Sequence, residues 1–239
     1  MKHRVYPYQS LAQNTIYVEE VKGKSFDRIL FAFRQSGTGS VPLTLTNLAK
    51  IKFLMKFAAG FGNEVILDIN AAEMCAVTNH EGGYAHDGSG LTVVNALLDL
   101  GPWGAYGDAS VTLEISTGAL GALDQSPKFG VELIQSANPS GLRYCYQGIT
   151  IDKDRNFEKV LEILQLTAPS DKYTEVDAER TGNVREHDVM CNALALADGV
   201  YEASANTGLV WFDDAGVGQD VKIVPPASTN YVIKRVSKV

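Results

Sequence analysis

The stretch IKFLMKFAAGFGNEVILDIN, residues 51–70, carries the pattern that decides the fold. Apolar side chains occupy every second position from Ile51 to Phe57 and again from Val65 to Ile69. Because successive side chains of a strand point to opposite faces of its sheet, each run predicts a strand with one buried face. The glycines and the asparagine between the two runs suit the positive φ of tight turns. The stretch therefore predicts two strands separated by a turn.

The same period of two continues along the chain. Residues 111–115 and 232–236 alternate in the same way, and further strands are predicted at residues 15–21, 28–34, 91–98, 130–134, 160–166, 208–212 and 221–224. Only residues 71–78 and 185–196 fit helices, and both segments are short. Strands that recur about every 10–15 residues without long amphipathic helices indicate antiparallel sandwiches or barrels. The predicted fold class is therefore all-β.

Two segments rich in small residues, glycine and proline predict a domain boundary near residue 138. They read TGALGALDQSPK at residues 117–128 and SANPSG at residues 136–141. A boundary there divides the 239 residues into an N-terminal domain, 1–137, and a C-terminal domain, 138–239. Each part is long enough to form an eight-stranded antiparallel sandwich.

Composition excludes several classes of protein. The chain is 45% hydrophobic and 21% charged, which are values of globular proteins and not of disordered ones. Its net charge of −7 opposes tight binding to nucleic-acid phosphates, so no specific nucleic acid is expected as a partner. No apolar run reaches the ~18–20 residues that a membrane-spanning helix needs. Cys75, Cys145 and Cys191 are odd in number and form no CxxC pair, which predicts buried thiols.

Motifs for catalysis are missing or incomplete, so no enzyme and no catalytic residue is predicted. Gly23-Lys24-Ser25 ends like a phosphate-binding loop, but that loop needs a glycine where this chain has Val18, so a hairpin turn is expected. Cys191 and His187 stand four residues apart, yet nothing in the sequence orients the imidazole as a base. A pair of carboxylates for glycoside hydrolysis would meet only in the fold and stays open.

Metal binding is also left open, with the ligands unknown. His80-Glu81 and His86-Asp87 share one glycine-rich loop but have no standard ligand spacing. Asp152, Asp154 and Asn156 begin like a calcium loop. An EF-hand would continue with glycine and glutamate where this chain has Phe157 and Ile163, so only an irregular calcium site or an exposed polar turn fits. Asp213-Asp214 with Asp220 forms a similar acidic loop.

Aromatic and basic residues suggest two kinds of surface. Carbohydrate-binding sandwiches often present a row of aromatic side chains, and the candidates for such a row, which equally suit a β core, are Trp103, Tyr106, Tyr144, Tyr146 and Trp211. Positive charge gathers near both termini of this acidic chain, at Lys2, Arg4, Lys234, Arg235 and Lys238. If both termini emerge at one end of the molecule, that end could contact an anionic lipid surface, whereas ordinary solvated termini need no partner.

The order of these features resembles a known family. Residues 15–21, 26–33 and 48–57 running into 64–74 resemble the first barrel of double jelly-roll coat proteins. Those are the major capsid proteins of tailless, membrane-containing icosahedral DNA phages, especially of the compact corticovirus type. The segment 107–116, the Gly/Ala/Leu linker and PKFGVEL at residues 127–133 resemble the end of that barrel. The second half matches more loosely, at residues 157–166 and 230–236.

This resemblance implies a structural protein of the virion, assembled in the host cytoplasm. It implies two jelly rolls side by side, a homotrimeric pseudo-hexagonal capsomer, and a capsid shell over an internal membrane that the basic termini could contact. No cofactor is implied, although some relatives bind calcium and structural Ca²⁺ stays open. The glycine- and tyrosine-rich loops 82–90 and 101–107 are the predicted contact regions, with Tyr84 and Trp103 as their test positions.

Rival interpretations come from other classes of protein. One is a carbohydrate-binding or adhesive β-sandwich, such as a phage spike or tail module. Another is a β hydrolase with a carboxylate pair that the sequence does not reveal. A minor capsid protein of the same fold is a close variant.

Overall fold

The computed structural model describes residues 2–34, 45–81, 84–86, 93–120, 128–137, 141–167, 175–178, 183–186, 208–211 and 218–239. The chain divides into two compact units. Unit 1 is Met1–Arg143 together with Val239, and unit 2 is Tyr144–Lys238. The division of the chain into domains 1–137 and 138–239 stays a prediction.

Nine strands and two helices form the described part of unit 1. In chain order they are β1 (Lys2–Ser10), β2 (Ile16–Val21), β3 (Lys24–Arg34), α1 (Leu45–Leu48), β4 (Ile51–Ala59), β5 (Gly62–Asn70), α2 (Ala71–His80), β6 (Tyr84–His86), β7 (Val93–Ala105), β8 (Ser110–Thr117) and β9 (Lys128–Ile134). The alternating run that begins at Ile51 forms β4 and β5, which pair as a hairpin with Ala59 opposite Gly62.

The strands of unit 1 pair in nested order. β4 pairs with β5, β3 with β7, β2 with β8 and β1 with β9, all antiparallel. Two more pairings, β3 with β9 and β4 with β8, place the strands in two sheets. One sheet has the order β1-β9-β3-β7-β6, and the other contains the run β5-β4-β8-β2. Without the short edge strand β6, this is an eight-stranded ribbon folded over itself, the winding of a jelly roll.

The core of unit 1 lies between the inner faces of these sheets and is rich in aromatic rings. The ring centroid of Phe129 lies 5.0 Å from that of Phe31, 5.3 Å from that of Tyr6 and 6.3 Å from that of Phe53. All four side chains are buried. Aromatic pairs at such distances stabilise beyond the apolar area that they bury. Cys75 in helix α2 is also buried and outside any disulfide, as predicted.

Unit 2 contains seven described strands. They are β10 (Tyr144–Ile151), β11 (Arg155–Thr167), β12 (Glu175–Ala178), β13 (Asn183–Glu186), β14 (Gly208–Trp211), β15 (Gln219–Val224) and β16 (Thr229–Val236). They follow the order β13-β12-β15-β11-β16-β10, and β14 also pairs with β11. Aliphatic side chains dominate the buried cluster on this sheet, which includes Ile163, Ile223 and Ile233 beside Tyr231. Cys145 is buried and outside any disulfide here.

Three sequence predictions need correction. Residues 185 and 186, expected to begin a helix, lie in strand β13; residues 187–196 of that segment are outside the described residues. Strand β1 was not expected, because it contains Pro7 and its exposure does not alternate. The turn at Gly23 is not a hairpin, because β2 and β3 belong to different sheets. Gly23 has a φ of +65°, and its N–H donates to the Ala105 carbonyl at 2.6 Å.

Candidate functional site

Candidates for catalysis and metal binding are not assembled into a site in the described part of the chain. His187, Cys191, Asp87, Asp213 and Asp214 lie outside the described residues. The side chains of His80 and His86 are not described either. Among the side chains that the structure describes, no group of three or more His, Cys, Asp and Glu is placed to hold a metal ion. No helix of this described part is long and apolar enough to span a membrane.

Two of the acidic residues suggested for calcium, Asp154 and Asp220, contact the protein itself. Asp154 follows β10 and forms an ion pair with Lys222 of β15, with 2.6 Å between the carboxylate oxygen and Nζ. Asp220 accepts a hydrogen bond from the Lys159 N–H at 3.0 Å. Lys159 has a φ of +54° at an irregularity in the β11–β15 register, so Asp220 fixes a strained bulge. These contacts account for Asp154 and Asp220 as structural residues.

Among the side chains that the structure describes, which do not include that of Trp211, the proposed row of exposed aromatic residues does not form. Trp103 and Tyr146 are each only 1% exposed. The Trp103 ring lies 5.3 Å from the Phe57 ring and 5.3 Å from the Arg143 guanidinium carbon. Its indole N–H donates to the Leu100 carbonyl at 2.8 Å. Trp103 is therefore a core residue of strand β7 and cannot serve directly as a contact side chain. The prediction of a loop at residues 101–107 is wrong for residues 101–105, which belong to that strand.

The rings of Tyr144 and Tyr146 pack against the side chain of Lys234. The Lys234 ammonium lies 4.7 Å from the Tyr144 ring centroid and 5.6 Å from that of Tyr146, and it forms an ion pair with Glu162 at 3.4 Å. A cation above an aromatic face is attracted to the electron density of that face. These interactions tie β10, β11 and β16 together.

Exposed aromatic side chains occur instead at two neighbouring turns of unit 1. Phe61, between β4 and β5, is 72% exposed, and Tyr106, between β7 and β8, is 56% exposed. The turns are joined because the Gly60 N–H donates to the Asp108 carboxylate at 3.0 Å. The Ala109 N–H donates to the Tyr106 carbonyl at 3.0 Å and closes the second turn. We name these two turns the aromatic turn pair; Phe61 and Tyr106 are its exposed rings, and Asp108 joins the turns.

The sequence analysis named Tyr106 but missed Phe61. Phe61 stands between two glycines in the turn of the stretch that decides the fold. A large apolar side chain in a tight turn has no sheet face to bury it, and that position was the available signal. The two turns are joined by a hydrogen bond between Gly60 and Asp108, which are 48 positions apart, and the sequence does not reveal this bond.

The basic residues near the termini are paired with acids on adjacent strands. Arg4 lies 3.4 Å from Glu132, and Lys234 lies 3.4 Å from Glu162. Lys238 also forms an ion pair with Glu158. These pairs neutralise much of the positive charge that suggested a lipid contact.

A polar cluster of His3, Tyr17 and Lys24 joins the strands β1, β2 and β3. The ring Nδ1 of His3 lies 2.9 Å from the Lys24 ammonium, which can donate only to an unprotonated nitrogen. Partial burial, followed by the charge of Lys24, lowers the pKa of His3. The Tyr17 hydroxyl donates to the Val5 carbonyl at 3.0 Å, and burial raises the pKa of Tyr17. The cluster binds β1 to its neighbours.

Comparison with known proteins identifies the fold. No protein-family model and no curated protein matches the sequence. The STIV MCP, a viral major capsid protein, matches with a TM-score of 0.63 and 10% identity, over 98% of this chain and 95% of its own. A chain in the atomic structure of Sulfolobus Turreted Icosahedral Virus matches with a TM-score of 0.64 and 12% identity, over 99% and 89%. A chain of the PBCV-1 virus capsid gives 0.50 and 7%, over 99% and 94%.

These structures are double jelly-roll capsid proteins. At such low identity the likeness shows the fold, and it extends over almost the whole chain. The chain therefore has the double jelly-roll fold, and the predicted all-β fold class is confirmed. The resemblance to double jelly-roll major capsid proteins is confirmed at the level of the fold, and the phage and corticovirus type stays a prediction.

Proposed function

We propose that this chain is a structural coat protein of a virion rather than an enzyme. The observation that carries the proposal is the match to viral major capsid proteins over 98–99% of the chain, with TM-scores of 0.63 and 0.64. The nested strand pairing of unit 1 supports it independently, since the described strands alone produce the jelly-roll winding. The finer proposal is a homotrimeric, pseudo-hexagonal capsomer that tiles an icosahedral phage shell.

The aromatic turn pair is the proposed contact surface between subunits. Subunit interfaces are enriched in aromatic side chains. Phe61 and Tyr106 are both more than half exposed, and the Asp108 bond to Gly60 holds their turns together. A surface that is rigid before it binds loses little conformational entropy on assembly. Phe61 and Tyr106 therefore replace Trp103, which is buried in strand β7, as the test positions.

The first experiment measures the solution mass of the purified chain by light scattering on a size-exclusion column. A stable species of three chain masses is expected for the wild-type protein. A Phe61→Glu, Tyr106→Glu double variant should reduce that species to single chains, because each change places a charge in the interface core. Val65→Glu is the matched control, since Val65 is 37% exposed on strand β5 outside the turn pair.

Two outcomes would contradict this proposal at different levels. A trimer that persists in the double variant removes the contact surface but leaves the coat-protein role. A wild-type chain that stays monomeric at all concentrations, and forms no particles with its virion partners under the electron microscope, removes the role itself. Copy number in a purified particle separates a major from a minor capsid protein.

We also propose that the basic residues near the termini contact an internal membrane of the virion. Because Arg4, Lys234 and Lys238 have acidic partners, we expect binding to anionic vesicles to be weak for the isolated chain. The measurement is co-sedimentation with vesicles of anionic and of neutral lipids. Equal sedimentation with both would count against an electrostatic membrane contact.

A further inference from the structure

Two strands at sheet edges in unit 1 differ in how they are protected against pairing with other chains. Strand β1 ends one sheet, and strand β2 ends the described run of the other. An edge strand exposes unpaired N–H and C=O groups, and proteins usually block such edges with proline, charge or β-bulges. The comparison of these two edges indicates where a partner strand could add.

Strand β1 has all three kinds of protection. Pro7 lacks an N–H, and Lys2 and Arg4 carry charge. The register of β1 with β9 shifts twice, between Arg4 and Tyr6 and between Tyr6 and Gln9. A further strand would find an interrupted row of donors there.

Strand β2 has a continuous edge. Its six residues pair with β8 without a register shift and include no proline. The Thr117 N–H donates to the Thr15 carbonyl at 2.9 Å, so the backbone of Thr15 faces β8. Because backbone groups alternate in direction along an antiparallel strand, those of Ile16, Val18 and Glu20 face away from β8. No described strand pairs with them there.

The side chains on this edge are unusually apolar for a surface. Ile16 is 69% exposed and Val18 is 55% exposed, and they follow each other on the outer face of the sheet. Ile16 and Val18 thus offer both outward backbone groups and exposed aliphatic side chains. Such an edge is typical of a strand that pairs in the assembled protein.

The charges on β2 determine which partner strand fits. Consider two antiparallel copies of β2 related by a two-fold axis. A pairing centred on Glu19 places the two Glu19 side chains opposite each other, which is destabilising. A pairing centred on Val18 places Glu20 opposite Ile16. A pairing centred on Tyr17 places Ile16 opposite Val18 in both directions. Glu19 and Glu20 then lie beside the uncharged residues 15 and 14, which precede the strand, so no like charges meet.

We propose that β2 is a self-association edge, which pairs antiparallel with β2 of a second copy of this chain, centred on Tyr17. The pairing satisfies the outward backbone groups of Ile16 and Val18 and brings the four exposed aliphatic side chains of the two copies into cross-strand contact. It joins two chains by a two-fold axis, and it does not rest on the coat-protein role. If the chain also forms trimers, the edge joins chains of different trimers.

Sedimentation equilibrium over a concentration series tests this edge. The two-fold link appears as a doubling of the mass of the smaller species present. Val18→Lys should raise the dissociation constant of that doubling by at least about tenfold, because it removes an apolar contact and blocks the edge with charge. The control is Val65→Lys, an equally drastic change at another exposed valine of the same sheet, which should leave the doubling unchanged.

Cysteine cross-linking tests the register and does not depend on how Val18→Lys folds. Single variants Ile16→Cys and Val18→Cys are oxidised separately and as an equimolar mixture. Pairing centred on Tyr17 predicts that the mixture gives far more disulfide-linked dimer than either variant alone. Efficient cross-linking of Val18→Cys alone would overturn this register in favour of one centred on Val18.

The remaining outcomes overturn the proposal as a whole. They are no doubling of mass in the wild type, doubling that survives Val18→Lys, equal loss in Val65→Lys, or no cross-link in any sample. A stable trimer that never doubles would overturn the β2 contact and leave the proposed coat function intact. A chain that forms dimers but no trimers would support the β2 contact and overturn the proposed trimeric coat function.

Discussion

The two units bury different kinds of side chain. In unit 1 the core is a set of touching rings, with Phe31, Phe53 and Phe129 within 5.0–6.3 Å of one another. In unit 2 the described core is mainly branched aliphatic, with Ile163, Ile223 and Ile233 fully buried. Rings are large and rigid and prefer a few mutual orientations, whereas aliphatic side chains interlock with many neighbours. Unit 1 should therefore tolerate changes of core shape less well than unit 2.

The largest expected effect comes from truncating one core residue in each unit. Phe129→Ala should cost about 3–5 kcal/mol, because it removes three ring contacts and leaves a cavity. Ile233→Ala should cost about 2–5 kcal/mol for the smaller side chain. Chemical denaturation measures both, and hydrogen exchange of β9 and β16 assigns each loss to its unit. The contrast fails if Ile233→Ala destabilises more than Phe129→Ala.

The next largest effect is expected at two glycines, Gly101 and Gly218, each of which lies close to the backbone of another segment. Gly101 in unit 1 has a φ of +67°, and a Cβ there would lie 1.7 Å from the Leu142 carbonyl oxygen. Gly218 in unit 2 has a φ of +75°, and its Cβ would lie 2.4 Å from the Lys159 oxygen. Alanine at either position should lower the midpoint of thermal unfolding markedly, and more at Gly101.

Gly107 provides the control for these two substitutions. It has a φ of +65°, but nothing lies within 4 Å of its missing Cβ. Gly107→Ala should therefore cost only the strain of a left-handed alanine, about 1–2 kcal/mol. If Gly101→Ala proved no worse than Gly107→Ala, close backbone contact at Leu142 would not be what requires glycine at Gly101.

The smallest expected effect is a loss of stability in unit 1 as the pH falls. Burial, followed by the charge of Lys24, lowers the pKa of His3, so the folded protein favours the neutral imidazole. The stability of this state is fully present above about pH 6.5 and is lost as the pH falls further. The loss should stay under about 1 kcal/mol, since the group is partly exposed. Hydrogen exchange should show β1 weakening between pH 7.5 and pH 5.5.

His3→Asn is the control for this pH effect. Asparagine keeps an acceptor oxygen for Lys24 but does not titrate in this range. The pH dependence of exchange in β1 should therefore disappear in the variant. A β1 that weakens equally in both proteins would assign the effect to another group.

Much of the fold could be predicted because strand alternation is a local signal. The runs at residues 51–57 and 65–69 became β4 and β5, and helix α2 begins where the sequence placed it. The predicted face of β5 holds only in part, because a register shift with β4 interrupts the alternation and leaves Val65 exposed while Glu64 and Ile66 are buried. Asn70 and Glu73 cap that helix reciprocally, since each side chain accepts from the backbone N–H of the other. Burial raises the pKa of Glu73 at this cap.

The surface could not be predicted as well, because exposure depends on distant partners. Trp103 looked available in a glycine-rich loop, but Phe57 and Arg143 enclose it from 46 and 40 residues away (103 − 57 and 143 − 103). Strand β1 lacked alternation because its edge position leaves most of its residues exposed. The turn at Gly23 joins two sheets, a relationship that no local pattern encodes.

The nested pairing of unit 1 also fixes an order of events during synthesis. The β4–β5 hairpin joins neighbours, whereas Lys2 pairs with Ile134, 132 positions later (134 − 2). Contacts so distant form slowly, since a long loop must close first. Of the strands in unit 1, β1 is synthesised first and is therefore the last to find its partner, and unit 1 stays open until residue 134 has emerged. During that interval the core rings of the nascent chain lack the partner that Phe129 provides.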